Sequence, residues 1–162
     1  IIAKKDNNGV GGMKPVASTD IYQDKFCIIT GGDGGGGKTY YCDYSFSATN
    51  FVLVCDLLEE HKKNADKYAK LYLAIVISER LHKTVNHGRT IKTVPSNIDI
   101  ELPIKEDDSI DFNYMSEYIK TLQYSDFIKG DSAKTFGFLL NTKFSYLALP
   151  NHFSTWHRYC LL

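Results

Sequence analysis

One short run decides how the first third of this chain can fold. Six of its twelve glycines fall in Gly31-Gly32-Asp33-Gly34-Gly35-Gly36-Gly37, followed by Lys38-Thr39. Such a run has almost no side chains to pack and enters left-handed backbone freely, so it is a turn or loop rather than the interior of an element. The apolar run Phe26-Cys27-Ile28-Ile29-Thr30 leads into it. Gly32 to Thr39 also spells G-x-x-x-x-G-K-T, the phosphate-binding loop pattern. In such a loop a helix starts at the Lys-Thr and aims N–H groups and a positive dipole end at the phosphates. Here Tyr40–Ser47 and Ala48–Cys55 follow, aromatic and β-branched with partial alternation, which is strand composition. The glycines are therefore read as a turn between two strands, where another backbone, a nucleic acid's included, can come close. A phosphate-loop nucleotide-binding protein on Gly32–Thr39 is the alternative, and it requires a helix at Thr39.

Charge bears on the choice. Nineteen basic and 19 acidic residues cancel, whereas nucleic-acid binders are usually basic. The charge is segregated, however. No acidic residue lies between Arg80 and Asn97, while Arg80, His82, Lys83, His87, Arg89 and Lys92 fall in or beside that stretch. A solvated loop is the plainer reading of so small a cluster.

The remaining bulk properties set a frame. A chain of 162 residues suits one domain with a real core, and 43% hydrophobic with 23% charged residues is a globular balance. No stretch has the length of a membrane span and no signal-peptide pattern is present, so a cytoplasmic protein is expected. The chain opens on Ile1 rather than Met, as a piece of a longer protein would. Cys27, Cys42, Cys55 and Cys160 form no C-x-x-C pair; three sit in expected strands and read as buried, reduced thiols.

Taken in order, residues 1–13 read as strand, turn and strand around Asn8-Gly9, a strong turn dipeptide. Residues 14–25 read as a loop, followed by strands over Phe26–Thr30, 40–47 and 50–57. Glu59 to Lys63 is a charged connector. From Ala65, the spacing of Tyr68, Leu71, Tyr72, Ile75, Val76 and Leu81 predicts a helix with a wide apolar face, Glu79, Arg80 and Lys83 lying at its watery end. Residues 98–104 alternate as a short strand ending near Pro103. An acidic turn follows, and Asp111 or Asn113 can cap a short helix over Tyr114–Leu122. The acidic turn lacks the ligand alternation and central glycine of a calcium loop.

The run IDIELPIKEDDSIDFNYMSEYIKTLQYSDFI, Ile98 to Ile128, resembles the end of a target recognition domain from the DNA-specificity subunits of Type I restriction–modification enzymes and related systems. Asn8-Gly9-Val10-Gly11, the glycine turn with Lys38 and Tyr41, Tyr72-Leu73-Ala74, and Gly88-Arg89 resemble the same family in the same order. The resemblance covers 1–128. It departs at Gly12-Met13, where an aromatic is expected, and it stops beyond Ile128, leaving 129–162 as an unassigned extension.

The resemblance implies an α/β fold of the α+β kind: a curved, mainly antiparallel sheet with one long helix and a short C-terminal helix. It implies a specificity subunit with no catalytic centre, which binds half of a split double-stranded DNA target. A partner methyltransferase subunit would be held there and would flip and methylate an adenine with its own S-adenosylmethionine. A restriction or translocase subunit can join, and two half-subunits can form a homodimer. The recognition chain itself then needs no cofactor.

DNA reading suits the residues on offer. Arg89 can read guanine and Asn86 adenine. Lys38 and Lys92, with Lys83, can hold phosphates. Thr39 and His87 complete the candidate site, with Asn8 behind them. No metal site is expected; His152, His157 and Cys160 lack a paired zinc motif. A non-catalytic protein-interaction domain is the third reading.

Overall fold

The computed structural model describes residues 1–3, 5, 7–13, 15, 17, 20–32, 35–84, 99–122 and 156–159. The fold is mixed α+β, and every strand pair is antiparallel. Its elements are β1 (Lys25–Ile29), β2 (Thr39–Cys42), β3 (Val52–Cys55), α1 (Glu59–Lys62), α2 (Lys67–Thr84), β4 (Ile100–Pro103), α3 (Phe112–Thr121) and β5 (Trp156–Tyr159). They cluster into two compact units. One is Ile1–Asp56 with Leu73–Pro95, and the other is Leu57–Tyr72 with Ser96–Leu162. The expected boundary at 128 falls inside the second. Among the described residues no helix is long and apolar enough to cross a membrane.

The first unit is built on a three-stranded sheet, ordered β2-β1-β3. Phe26, Cys27, Ile28 and Ile29 of β1 are fully buried, as a central strand covered on both faces requires. The strands are shorter than expected. Residues 43–51 run as an irregular connection that touches the sheet system through a Tyr22–Phe46 bridge. Nor do the described residues of 1–13 form the two expected strands. Asn7–Gly9 is one 3₁₀ turn, with Asn7 and Asn8 in left-handed backbone, closed by Val10 N–H donating to Asn7 O at 2.9 Å. The turn signal was sound, and Ile2 N–H donates to Gly9 O across it at 2.7 Å.

Three thiols lie in this sheet, and all are free. Cys27 sits diagonally across from Cys42, and the thiol–thiol hydrogen bond holds Cys27 above and Cys42 below the ordinary thiol range. Burial pushes Cys55 up to about 11 and lifts Tyr41 and Tyr44 above the tyrosine range.

Helix α2 serves both units. Its most deeply buried residues, Ala69, Leu73, Ile77 and Leu81, form a single i, i+4 stripe. The expected face was centred differently: Tyr68, Ile75 and Val76 are only half-buried. Alanines carry little weight in a periodicity count, yet they mark where neighbours come closest. Glu79 and Arg80 are exposed, as expected.

In the second unit, Asp66 caps α2. Its Oδ1 accepts from Ala69 N–H at 2.9 Å and lies 2.5 Å from the Ser116 hydroxyl of α3. Asp111 caps α3 by accepting from Tyr114 N–H at 2.9 Å, so the helix begins at Phe112 and buries Phe112, Met115 and Ile119. The acidic turn is fastened locally: Asp107 accepts from the backbone and hydroxyl of Ser109, which holds its carboxyl below the usual range. The expected connector at 59–63 is a helical turn, α1. The end of the unplaced extension pairs with β4, Ile100 opposite Tyr159 and Pro103 opposite Trp156.

Two expectations follow. Asp66→Ala removes a cap and the link to Ser116, whose hydroxyl keeps Phe112 O as acceptor at 3.0 Å, so urea unfolding should show a loss of about 1 kcal/mol. The double variant with Ser116→Ala should lose less than the sum of the two single losses. The second concerns pH. A group with a raised folded pKa stabilises below its unfolded value, and that contribution is lost as pH rises through the folded one. For Cys55 the window runs from 9.0 to about 11. The unfolding midpoint should fall across it, and Cys55→Ala should make the fall shallower.

Candidate nucleic-acid interface

The glycine run joins β1 to β2, and β2 begins at Thr39. Where a phosphate-binding loop needs a helix there is a strand. The run closes as two consecutive turns, Gly35 N–H donating to Gly32 O at 3.1 Å and Lys38 N–H to Gly35 O at 2.9 Å. The ladder resumes where Gly37 N–H donates to Ile29 O and Ile29 N–H to Lys38 O, both at 2.8 Å.

The close approach that glycine permits is made by the chain's own backbone. Gly37 has φ +84°, and a Cβ there would lie 2.8 Å from both His82 N and Leu81 C of α2. Beside it, a ring nitrogen of His82, Nδ1, lies 3.2 Å from Gly36 O. Gly32 is seated similarly, its absent Cβ 3.0 Å from Ala3 O. The glycine loop is thus clamped to the last turn of α2 on one side and to the N-terminal stretch on the other.

This clamp bears on Lys38 and Thr39. Lys38 is half-buried at the loop's exit. Thr39 is buried, and its hydroxyl donates to Gly37 O at 3.3 Å, so it secures the turn rather than presenting a group outward. Asn86, His87, Arg89 and Lys92 lie outside the described residues. They follow closely in sequence on Thr84, the last residue of α2, and hence on the Gly37–His82 contact. Asn8 is buried in its left-handed turn, and its Nδ2 has no partner among the described residues.

Sequence reasoning missed Phe51. It stands at the same end of the sheet, because its carbonyl accepts from Thr30 N–H at 2.8 Å and the next residue, Val52, pairs with Ile29. Its φ is +67°, and it is 58% exposed. An aromatic residue in left-handed backbone costs about 1–3 kcal/mol. The sequence places Asn50 and Phe51 inside a strand over 50–57, whereas the strand begins at Val52 and Phe51 is a turn residue in left-handed backbone.

The opposite end of the sheet is acidic. Asp24, Asp43 and Asp56 flank it, with Lys25 paired to Asp56 and Tyr41 donating to Asp24. From Gly35 to Cys42 the one charged residue is Lys38, and Tyr44–Cys55 carries none. Among the described residues no three His, Cys, Asp or Glu side chains gather as metal ligands. His157 is on β5, while His152 and Cys160 lie outside the described residues. Comparison with protein-family models, with curated proteins and with solved structures gave no match.

Gly37→Ala tests the clamp. A Cβ at this φ collides with helix backbone that has no side-chain freedom to yield, so urea unfolding should show a loss of at least about 2 kcal/mol.

Proposed function

We propose that this chain is a DNA target-recognition module, the specificity part of a restriction–modification enzyme. One observation supports the reading above others: the glycine loop is seated on the last turn of α2. The turn carrying Lys38 and the point from which the basic stretch 85–97 departs are therefore neighbours within one unit. A duplex approaching this end meets Lys38 and exposed amide and hydroxyl groups at Thr49 and Asn50, with the sheet's acids at the far end. Phosphate contacts set register and orientation, and base edges are read by side chains on the turns.

In this reading Lys38 and Lys92 hold phosphates. Asn86, His87 and Arg89 read bases, and Thr39 keeps the loop's shape. The chemistry belongs to a partner: a methyltransferase subunit carrying S-adenosylmethionine flips the adenine, and a restriction subunit can add cleavage.

Binding of the full chain to a random-sequence duplex pool, with selection of the tightest binders, tests the proposal. Affinity should fall steeply with salt. Lys38→Ala should weaken binding about equally on all sequences and lower the salt slope by about 1. Arg89→Ala should instead erase discrimination at one position, worth about 1–3 kcal/mol. Co-expression with a cognate modification subunit should place adenine methylation at a split motif that disappears without this chain. The absence of any duplex binding would end the proposal.

A further inference from the structure

We infer that Phe51 is a wedge that inserts its ring at a base step of the bound duplex; this rests on the DNA-recognition reading. Three observations carry it. The residue sits at the glycine-loop end of the sheet, bonded through its carbonyl to Thr30, which directly precedes the glycine run. Its ring is exposed while its backbone is held left-handed, a conformation in which asparagine or glycine would rest with less strain. The surrounding chain, Tyr44 to Cys55, has no charge to repel or to pair a phosphate, and Leu53 of β3, 39% exposed, continues the apolar edge.

A fold has no use of its own for this combination. Exposing a phenylalanine gains no burial energy, and the left-handed backbone adds strain that a smaller residue avoids. A rigid aromatic at the rim of the glycine-lined end that carries Lys38 is what a partly unstacked base step accepts. Apolar wedges of this kind kink duplexes by roughly 20–90° and favour the flexible pyrimidine–purine steps. Lys38, at the exit of the adjoining loop, is placed to hold the phosphates beside the kink. Phe51 therefore supplies indirect readout, selecting sites by how easily one step opens, alongside whatever Arg89 reads directly.

The test uses the full chain and a duplex selected from the random pool. Phe51→Ala should weaken binding about tenfold, within the range of a lost stacking contact. It should also reduce the DNA bend seen by gel mobility of circularly permuted fragments, and should remove enrichment of TA or CA steps from a repeated selection. Phe51→Trp should retain binding and bend. Phe51→Asn should lose both while melting no lower than the wild type, which separates a contact role from a structural one. If Phe51→Ala binds, bends and selects like the wild type while Lys38→Ala weakens binding, the wedge is refuted and the DNA reading stands. If the wild-type chain binds no duplex at all, both fall together.

Discussion

Gly37 has no side chain, and the last turn of α2 occupies the space one would take. Much else in the first unit depends on that contact. With a Cβ only 2.8 Å from two backbone atoms, helix and loop could not keep their separation. The buried stripe Leu73, Ile77 and Leu81 lies on that same helix and would then lose its present seating. Interiors packed at crystal-like density do not absorb such a shift by small adjustments. The loop that looks most permissive in sequence is thus among the most constrained in space.

That contact also explains why the phosphate-loop spelling misleads. The letters G-x-x-x-x-G-K-T report glycines and a lysine but not what the glycines face. Here they face protein, and Thr39 turns its hydroxyl back to Gly37. The strand composition of Tyr40 and Tyr41 favoured a turn over a helix start in the sequence, and the structure places a buried strand, β2, at Thr39–Cys42.

The fold was legible where side chains announce a period or a cap. The helix at 67–84, the strand at Phe26 and the strand at Pro103 follow from residue types alone, and the structure chooses Asp111 over Asn113 as the cap of α3. What escaped was set by tertiary contact. Ala69 lies on the deepest stripe of α2 because it is small, a property that hydropathy undervalues. The first residues look like strands but enter no ladder among the described residues, bonding instead through Ile2 to Gly9 and Ile1 to Thr49. At the candidate site, Lys38 was legible through its place beside glycines. Phe51 was not, since its exposure and φ come from the hydrogen bond to Thr30, made across a sheet that no local pattern reveals. The strand at Trp156 escaped for the same reason, because its partner lies more than fifty residues earlier.

The β4–β5 pairing carries a consequence for how the chain is made. On the ribosome, the first unit has all its described strands and its share of α2 as soon as Thr84 has emerged. Strand β4 must wait for Trp156–Tyr159, and every residue between is synthesised while its pairing edge lies open. A late-arriving strand of this kind exposes the nascent chain to mispairing with its neighbours on the same message. Messenger loading and chaperone supply would then affect the yield of the second unit far more than that of the first.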